Sequence, residues 1–126
     1  MNKVTNVKLN KINSVYDADT FRATINGIPD WLGNNVPFRI YGINSPEKGW
    51  RANCEYERNL SVEATEFIKN KIANGKKYTV NIHGLDKYGR FLVDSYIDDI
   101  NIAKELLNNN MAKEYFGGTK TSWCNE

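Results

Sequence analysis

The sequence predicts a mainly β fold of the α+β class: a five-stranded Greek-key barrel, with one helix between strands three and four and a short second helix after strand five. Three observations predict it. Apolar and polar residues alternate at period 2 in segments within residues 4–43 and again within 77–97, as half-buried strands do. Between those blocks, residues 54–74 change to helical spacing. The chain has 126 residues, which predicts one domain over 1–126 built on a single core.

Each element can be justified in turn. The first strand covers about Val4–Val15, and "DADT" (17–20) makes a turn. Phe21, Ala23 and Ile25 then alternate with Thr20, Arg22 and Thr24 in the second strand. Residues 27–37 carry Gly, Pro and Asn-Asn and read as a long connection, and a third strand runs from about Val36 to Ile43. In the helix, Leu60, Ala64, Phe67, Ile68 and Ile72 form one stripe. Asn53 is the expected N-cap, Glu55 and Glu57 suit the positive helix end, and Gly75 is the expected left-handed stop. "KYTVNIHG" presents Tyr78, Val80 and Ile82 to one side, and "RFLVDSYI" presents Phe91, Val93 and Ile97. "LDKYGR" joins these two strands, with Gly89 supplying the turn. The short helix, about Asn101–Asn109, buries Ile102, Ala103, Leu106 and Leu107. This order is that of an OB-type barrel plugged at one end by its helix. Helix-separated hairpins in an α+β sandwich are the alternative. OB barrels often bind nucleic acids or sugars, although fold alone does not fix function.

Composition narrows the rest. Hydrophobic residues make up 40% and charged residues 25%, ordinary for a globular chain. A formal charge of +2 neither demands nor excludes a polyanionic partner. No apolar run approaches the roughly 20 residues that cross a bilayer, so no membrane partner is expected. "MNKVTNVKLN" has no apolar core or small-residue cleavage site, hence no secretory signal. The compartment is left open: secreted if a signal has been removed, otherwise cytoplasmic. No obligate protein partner is evident, and a monomer is expected. Two cysteines, Cys54 and Cys124, admit either a disulfide or two free thiols. Cys124 ends a tail with no other evident anchor, which predicts that the tail folds back towards Cys54. The single histidine, His83, is read as an exposed strand residue without a role, and Trp31, Trp50 and Trp123 as packing or rim residues.

Three loops carry charge that plain turns do not need: "DADT" with Asp17 and Asp19, "NSPE" with Asn44, Ser45 and Glu47, and "DKYGR" with Lys87, Tyr88 and Arg90. Arg39 joins them from the third strand, facing opposite to Phe38 and Ile40. Singly each is ordinary, since Asp satisfies turn amides and Glu after Pro is commonly a solvated surface acid. Together they are not. Asp and Asn oxygens are the hard ligands that calcium takes, and a carboxylate beside such an ion can orient or deprotonate water. Two guanidinium groups match phosphate oxygens. Metal, base and two arginines are what phosphodiester hydrolysis requires.

"VYDADTFRA", "FRIYGINSPE" and "DKYGR", in this order and spacing, resemble the three signature segments of the staphylococcal nuclease (thermonuclease) family, over about residues 14–116. The resemblance implies an OB-fold and calcium-dependent (Ca2+) endonucleolytic cleavage of DNA and RNA, with water attacking phosphorus and the 5′-oxygen leaving. By its motifs, Asp19 is a direct calcium ligand, Asn44 occupies a second ligand position and Ser45 contributes its main-chain carbonyl. Glu47 holds the water as general base or positioning group, Arg39 and Arg90 grip the scissile phosphate, and Lys87 and Tyr88 stand near the substrate's terminal phosphate and sugar. Asn44 replaces an expected aspartate, and Ala18 replaces a glycine, which matters only if that position needs a positive φ. The "GGTKTSWC" ending, paired with a cysteine soon after the "NSPE" loop, resembles a shorter branch of the family. The competing function is a non-catalytic module that binds nucleic acid or protein. Catalysis is preferred because Asp19, Arg39, Glu47 and Arg90 are retained as a set, and a purely structural barrel leaves those four without a reason.

Overall fold

The first strand is long enough to serve two neighbours, and the barrel closes around it. The computed structural model describes residues 3–124. In chain order the elements are β1 (Val4–Asp17), β2 (Thr20–Ile25), α1 (Asp30–Gly33), β3 (Val36–Ile40), β4 (Ile43–Asn44), a 3-10 turn (Gly49–Arg51), α2 (Glu55–Asn74), β5 (Tyr78–Leu85), β6 (Phe91–Ile97), β7 (Ile100–Asn101), α3 (Ile102–Asn108) and β8 (Lys113–Glu114). The first part of β1 pairs antiparallel with β5 and the second with β2, Leu9 lying opposite both Tyr78 and Ile25. Three register shifts between Leu9 and Asp17 mark where β1 bends from one partner to the other. β2 pairs with β3 and β5 with β6, both antiparallel, and a parallel pairing of β3 with β6 shuts the ring. The result is a closed barrel of β1, β2, β3, β6 and β5 in the OB order, an α+β fold with its helices outside and across one end.

Inward-facing residues fill the barrel. Phe38 is fully buried, stacked on Phe21 with ring centroids 5.2 Å apart and tilted against Phe91 at 5.8 Å. Val80 and Val93 complete that layer, Ala64 and Ile68 of α2 plug the end, and Ile102 and Leu106 of α3 extend the same core. Asn101 caps α3 by accepting from the Lys104 N–H at 3.2 Å. Among the described residues, no helix is long and apolar enough to cross a membrane.

Several local expectations are corrected. The third strand ends at Ile40, because Gly42 adopts φ +86° and turns the chain out of the barrel. Ile43 and Asn44 then leave the barrel to pair with β8. The connection over 27–37 contains the single turn of α1. Asn53 does not cap α2; Cys54 holds that position, with no side-chain cap bond. Gly75 has φ −84°, so it is not a left-handed stop. Glycine is needed there because a Cβ would collide with the Ile97 side chain and lie 3.0 Å from the Lys71 carbonyl oxygen. Ala18 is buried in the core and is not among the positive-φ residues, so it costs no strain there. Trp31 and Trp50 are 84% and 87% exposed, rim rather than packing residues, with the Arg51 guanidinium 5.5 Å from the Trp50 ring centre. His83 is half-buried, stacked on Tyr41 at 4.5 Å and 2.8 Å from Asp94 Oδ1.

Cys54 and Cys124 form a disulfide, with α-carbons 5.9 Å apart, inside the range a relaxed bridge spans. It ties the tail to the start of α2.

The cramped setting of Gly75 yields a stability prediction. Gly75→Ala should lower unfolding free energy by about 1–3 kcal/mol, the usual cost of forcing an extra carbon into packed space. Urea midpoints measure it, and a variant as stable as the parent would show that Ile97 can move aside.

Candidate active site

Where the barrel meets the "NSPE" loop, a groove of about 760 Å³ opens between the 17–20 turn, residues 44–47, the 88–90 turn and Lys120 of the tail. Asp19 anchors it. β2 and β3 place Thr20 opposite Arg39, so the turn and the third strand are already adjacent. Asp19 Oδ2 lies 3.0 Å from Arg39 Nη1 and also accepts from the Ser45 N–H at 3.0 Å. Asp19 Oδ1 accepts from the Thr20 hydroxyl, and its main-chain carbonyl accepts from the Ile40 N–H. One buried carboxylate thus fixes a turn, a strand and the following loop. Arg39 also donates to the Ile40 carbonyl at 3.2 Å, which holds its guanidinium at the groove wall.

Glu47 is aligned from below by a residue that sequence reasoning assigned only to the helix end. Glu57, 3% exposed, accepts from the Glu47 N–H at 2.8 Å and the Asn53 N–H at 2.9 Å. The signal was present as an acid in the first turn of α2, but its aim back at the loop was not legible. The Glu47 carboxylate faces Lys120 Nζ at 3.9 Å.

Arg90 is held by another residue that the sequence reading passed over. Asp86 Oδ2 lies 2.7 Å from Arg90 Nε, while Oδ1 accepts from the Tyr88 and Arg90 N–H groups, both at 2.9 Å. Gly89, at φ +80°, closes this turn. Partial burial would raise the Asp86 carboxyl, but the hydrogen bonds from Arg90 and Tyr88 outweigh it and hold the group below its usual range. Tyr88 is largely exposed beside Arg90. Lys87 lies not in this groove but in a neighbouring one of about 370 Å³, which shares Arg39, Tyr88, Arg90 and Lys120 with the first. The cysteines stand outside both grooves.

The groove floor is rich in oxygen. Asn44 and Ser45 are buried beside Asp19 and Asp17. Asp17 Oδ1 is buried with no hydrogen-bond partner, and burial, then the charges of Asp19 and Glu47, push this carboxyl up to about 6 against the opposing pull of Lys48 and Arg51. In the sequence Asp17 stands out with Asp19 as part of the charged 17–20 loop, but with no task of its own. Among the described residues, no three His, Cys, Asp or Glu side chains form a preformed metal cage. The donor chemistry nevertheless fits a hard divalent cation: an amide, a main-chain carbonyl and two aspartates, one of which carries the orphaned oxygen that a cation would satisfy.

A family model described as staphylococcal nuclease homologue matches residues 37–123, more than two thirds of the chain. The match contains Arg39, Asn44, Ser45, Glu47, Lys87, Tyr88 and Arg90, and Asp19 precedes it. No curated protein matches the chain.

Asp86 and Asp94 give the acid limb of stability. Burial would raise Asp94 too, but hydrogen bonds from His83 and Lys3 hold it low. A carboxyl depressed below its unfolded value of about 3.9 stabilises the fold above that pH, and the contribution disappears as pH falls through the folded value. Asp86→Asn and Asp94→Asn should therefore each be less stable than the parent at pH 7 and converge on it in acid. Urea midpoints between neutral and strongly acidic pH decide this; curves that stay parallel would remove these carboxylates from the account.

Proposed function

The chain belongs to the staphylococcal nuclease homologue family, and we propose that it is a calcium-dependent endonuclease hydrolysing DNA and RNA, with water attacking phosphorus and the 5′-oxygen leaving. The observation that carries this reading is the convergence of Arg39, Arg90 and Glu47 on one groove above an anionic oxygen floor. In this reading residues 1–126 act as one domain and as a monomer.

Each residue then has a task, and Asp19 has two. Arg39 and Arg90 direct planar donors at the scissile phosphate and keep their charge at any working pH. Their anchors, Asp19 and Asp86, fix the guanidinium groups before substrate arrives, which is what makes charge stabilisation effective in the transition state. Glu47, held by its main-chain bond to Glu57, takes the proton of the attacking water or aligns that water for attack. Lys87 and Tyr88 lie along the neighbouring groove, suited to the terminal phosphate and sugar. Asp19, the Asn44 amide oxygen and the Ser45 carbonyl would hold calcium, with Asp17 beside them, and the ion would supply Lewis-acid charge against the developing negative charge.

Asn44 favours a second reading, a nucleic-acid-binding module without chemistry. It contributes no charge, and calcium affinity rises steeply with ligand charge count. The two readings part in a cleavage assay on single-stranded DNA with calcium, with magnesium and with a chelator. Arg39→Ala and Arg90→Ala should each lower turnover by roughly 10²-fold or more, as loss of a preorganised donor does. Glu47→Gln should lower the rate strongly while binding of a nucleotide bisphosphate changes much less. Wild-type rates in all three would move the site elsewhere.

Asn44→Asp tests the floor. The parent should need calcium on the order of millimolar, as the weakest sites of this chemistry do. The variant should bind the ion more tightly and cleave faster at low calcium, with a smaller gain at saturation. Calorimetry and cleavage titrations check it: equal calcium dependence would mean that Asn44 is not a ligand, and inactivity of both proteins would favour the binding module.

A further inference from the structure

Lys120 reaches the groove from the far end of the chain. Its ammonium is 3.9 Å from Glu47 Oε2 and 5.6 Å from the Tyr115 ring centre, and it lines both grooves at the seam they share with Arg39, Tyr88 and Arg90. Its side chain is 46% exposed and that of Glu47 31%. An ion pair so open to water adds little to stability, so the contact with Glu47 does not account for the placement. What the position offers is a third cation beside two guanidinium groups, facing a groove read as a path for a polyanion.

The placement has one covalent cause. Residues 115–124 contain no helix or strand. They are held by the Tyr115 hydroxyl donating to the Gly118 carbonyl, by Lys113 donating to the Ser122 carbonyl and lying over the Trp123 ring, and by the bond from Cys124 to Cys54. Lys120 stands four residues before Cys124. Four residues span at most about 14 Å, so the bridge keeps the lysine within that reach of Cys124. Without it, the segment beyond β8 keeps the Tyr115 N–H bond to the Gly42 carbonyl at its start and, further on, side-chain contacts that lie mostly at the surface.

We propose that Lys120 is a phosphate-contacting residue of this site, binding the nucleic-acid backbone next to the scissile position, and that the Cys54–Cys124 disulfide holds it there, so that a dithiol reductant weakens substrate binding. The proposal rests on the nuclease reading. In the reductive step, one thiolate of the reductant attacks a bridge sulfur and breaks the S–S bond, forming a mixed disulfide. Its second thiolate displaces the protein sulfur. The reductant leaves oxidised, and Cys54 and Cys124 together gain two electrons and two protons.

The test is a fluorescence-anisotropy titration of a labelled oligothymidylate in chelator, where binding is read without cleavage, at several salt concentrations. Lys120→Gln should weaken binding several-fold at low salt and flatten the log–log salt slope by roughly 0.7, the share of one single-strand phosphate contact; Lys120→Arg should restore both. Reduced wild type, confirmed folded by circular dichroism, should match oxidised Lys120→Gln, and reduced Lys120→Gln should be no weaker than either. Inserting Gly-Ser-Gly-Ser after Thr121 loosens the tether while leaving the bridge, and should reproduce Lys120→Gln even if the reduced protein unfolds. An unchanged salt slope in Lys120→Gln would overturn the phosphate contact, and additive losses on reduction or a neutral insertion would overturn the tether. Failure of the wild type to bind oligonucleotide at all is a different result, and it would remove the nuclease reading together with this one.

Discussion

The groove depends on a single buried ion pair, between Asp19 and Arg39. The two side chains are only 7% and 13% exposed, so each has lost most of its water and neither tolerates the loss of the other. Breaking a pair of this kind by removing one partner costs about 3–5 kcal/mol, because an uncompensated charge is left inside. The same carboxylate also receives the Ser45 N–H, so the turn after β1, the strand β3 and the loop after β4 share one electrostatic centre. Placement of the phosphate-facing arginine and placement of the oxygen floor are consequently not separable properties. A change that frees Arg39 also releases Ser45.

The groove balances opposing charges at close range. Asp17, Asp19 and Glu47 line it together with Arg22, Arg39, Arg51, Arg90 and Lys120. Asp19 is neutralised by Arg39 and Glu47 faces Lys120, whereas Asp17 keeps an oxygen without a partner. The neutral Asn44 reduces mutual repulsion on a floor that already carries a strained carboxylate, at a cost to its pull on a cation. A floor with a further aspartate would attract metal more strongly and would also be harder to fold without it.

Much of this was legible in the sequence because the relevant signals are local. Period-2 alternation gave the barrel strands, the helical stripe of Leu60, Ala64 and Ile68 gave α2, and the three charged loops stood out by composition. What escaped were the residues whose roles depend on where a side chain is aimed. Glu57 looks like any acid in a first helical turn until the chain brings the Glu47 N–H to it, and Asp86 looks like a turn residue until Arg90 returns. Gly75 was misread for the opposite reason: the local rule for helix stops was strong, while the collision with Ile97 is a tertiary fact. The third strand reads too long because the alternation of Phe38, Ile40 and Gly42 with Arg39, Tyr41 and Ile43 runs on past Ile40, and only the turn at Gly42 shows that the chain has left the barrel.

The double pairing of β1 also governs how the molecule can be assembled. Val4 pairs with Ile82, and the closing contact between β3 and β6 joins Phe38 to Phe91. Such separations give slow folding, since loop entropy must be lost before the contacts repay it. Emerging from the ribosome before its partners, β1 can form a hairpin with β2 as soon as that strand follows, yet its leading half remains an open edge until β5 has been synthesised. Open edges invite pairing with other chains. This one is guarded: Lys3 and Lys8 punctuate it, and Asn6, at φ 56°, kinks it beside a register shift. The same residues that look like unremarkable surface in the finished barrel are, during synthesis, what keeps a nascent strand from finding the wrong partner.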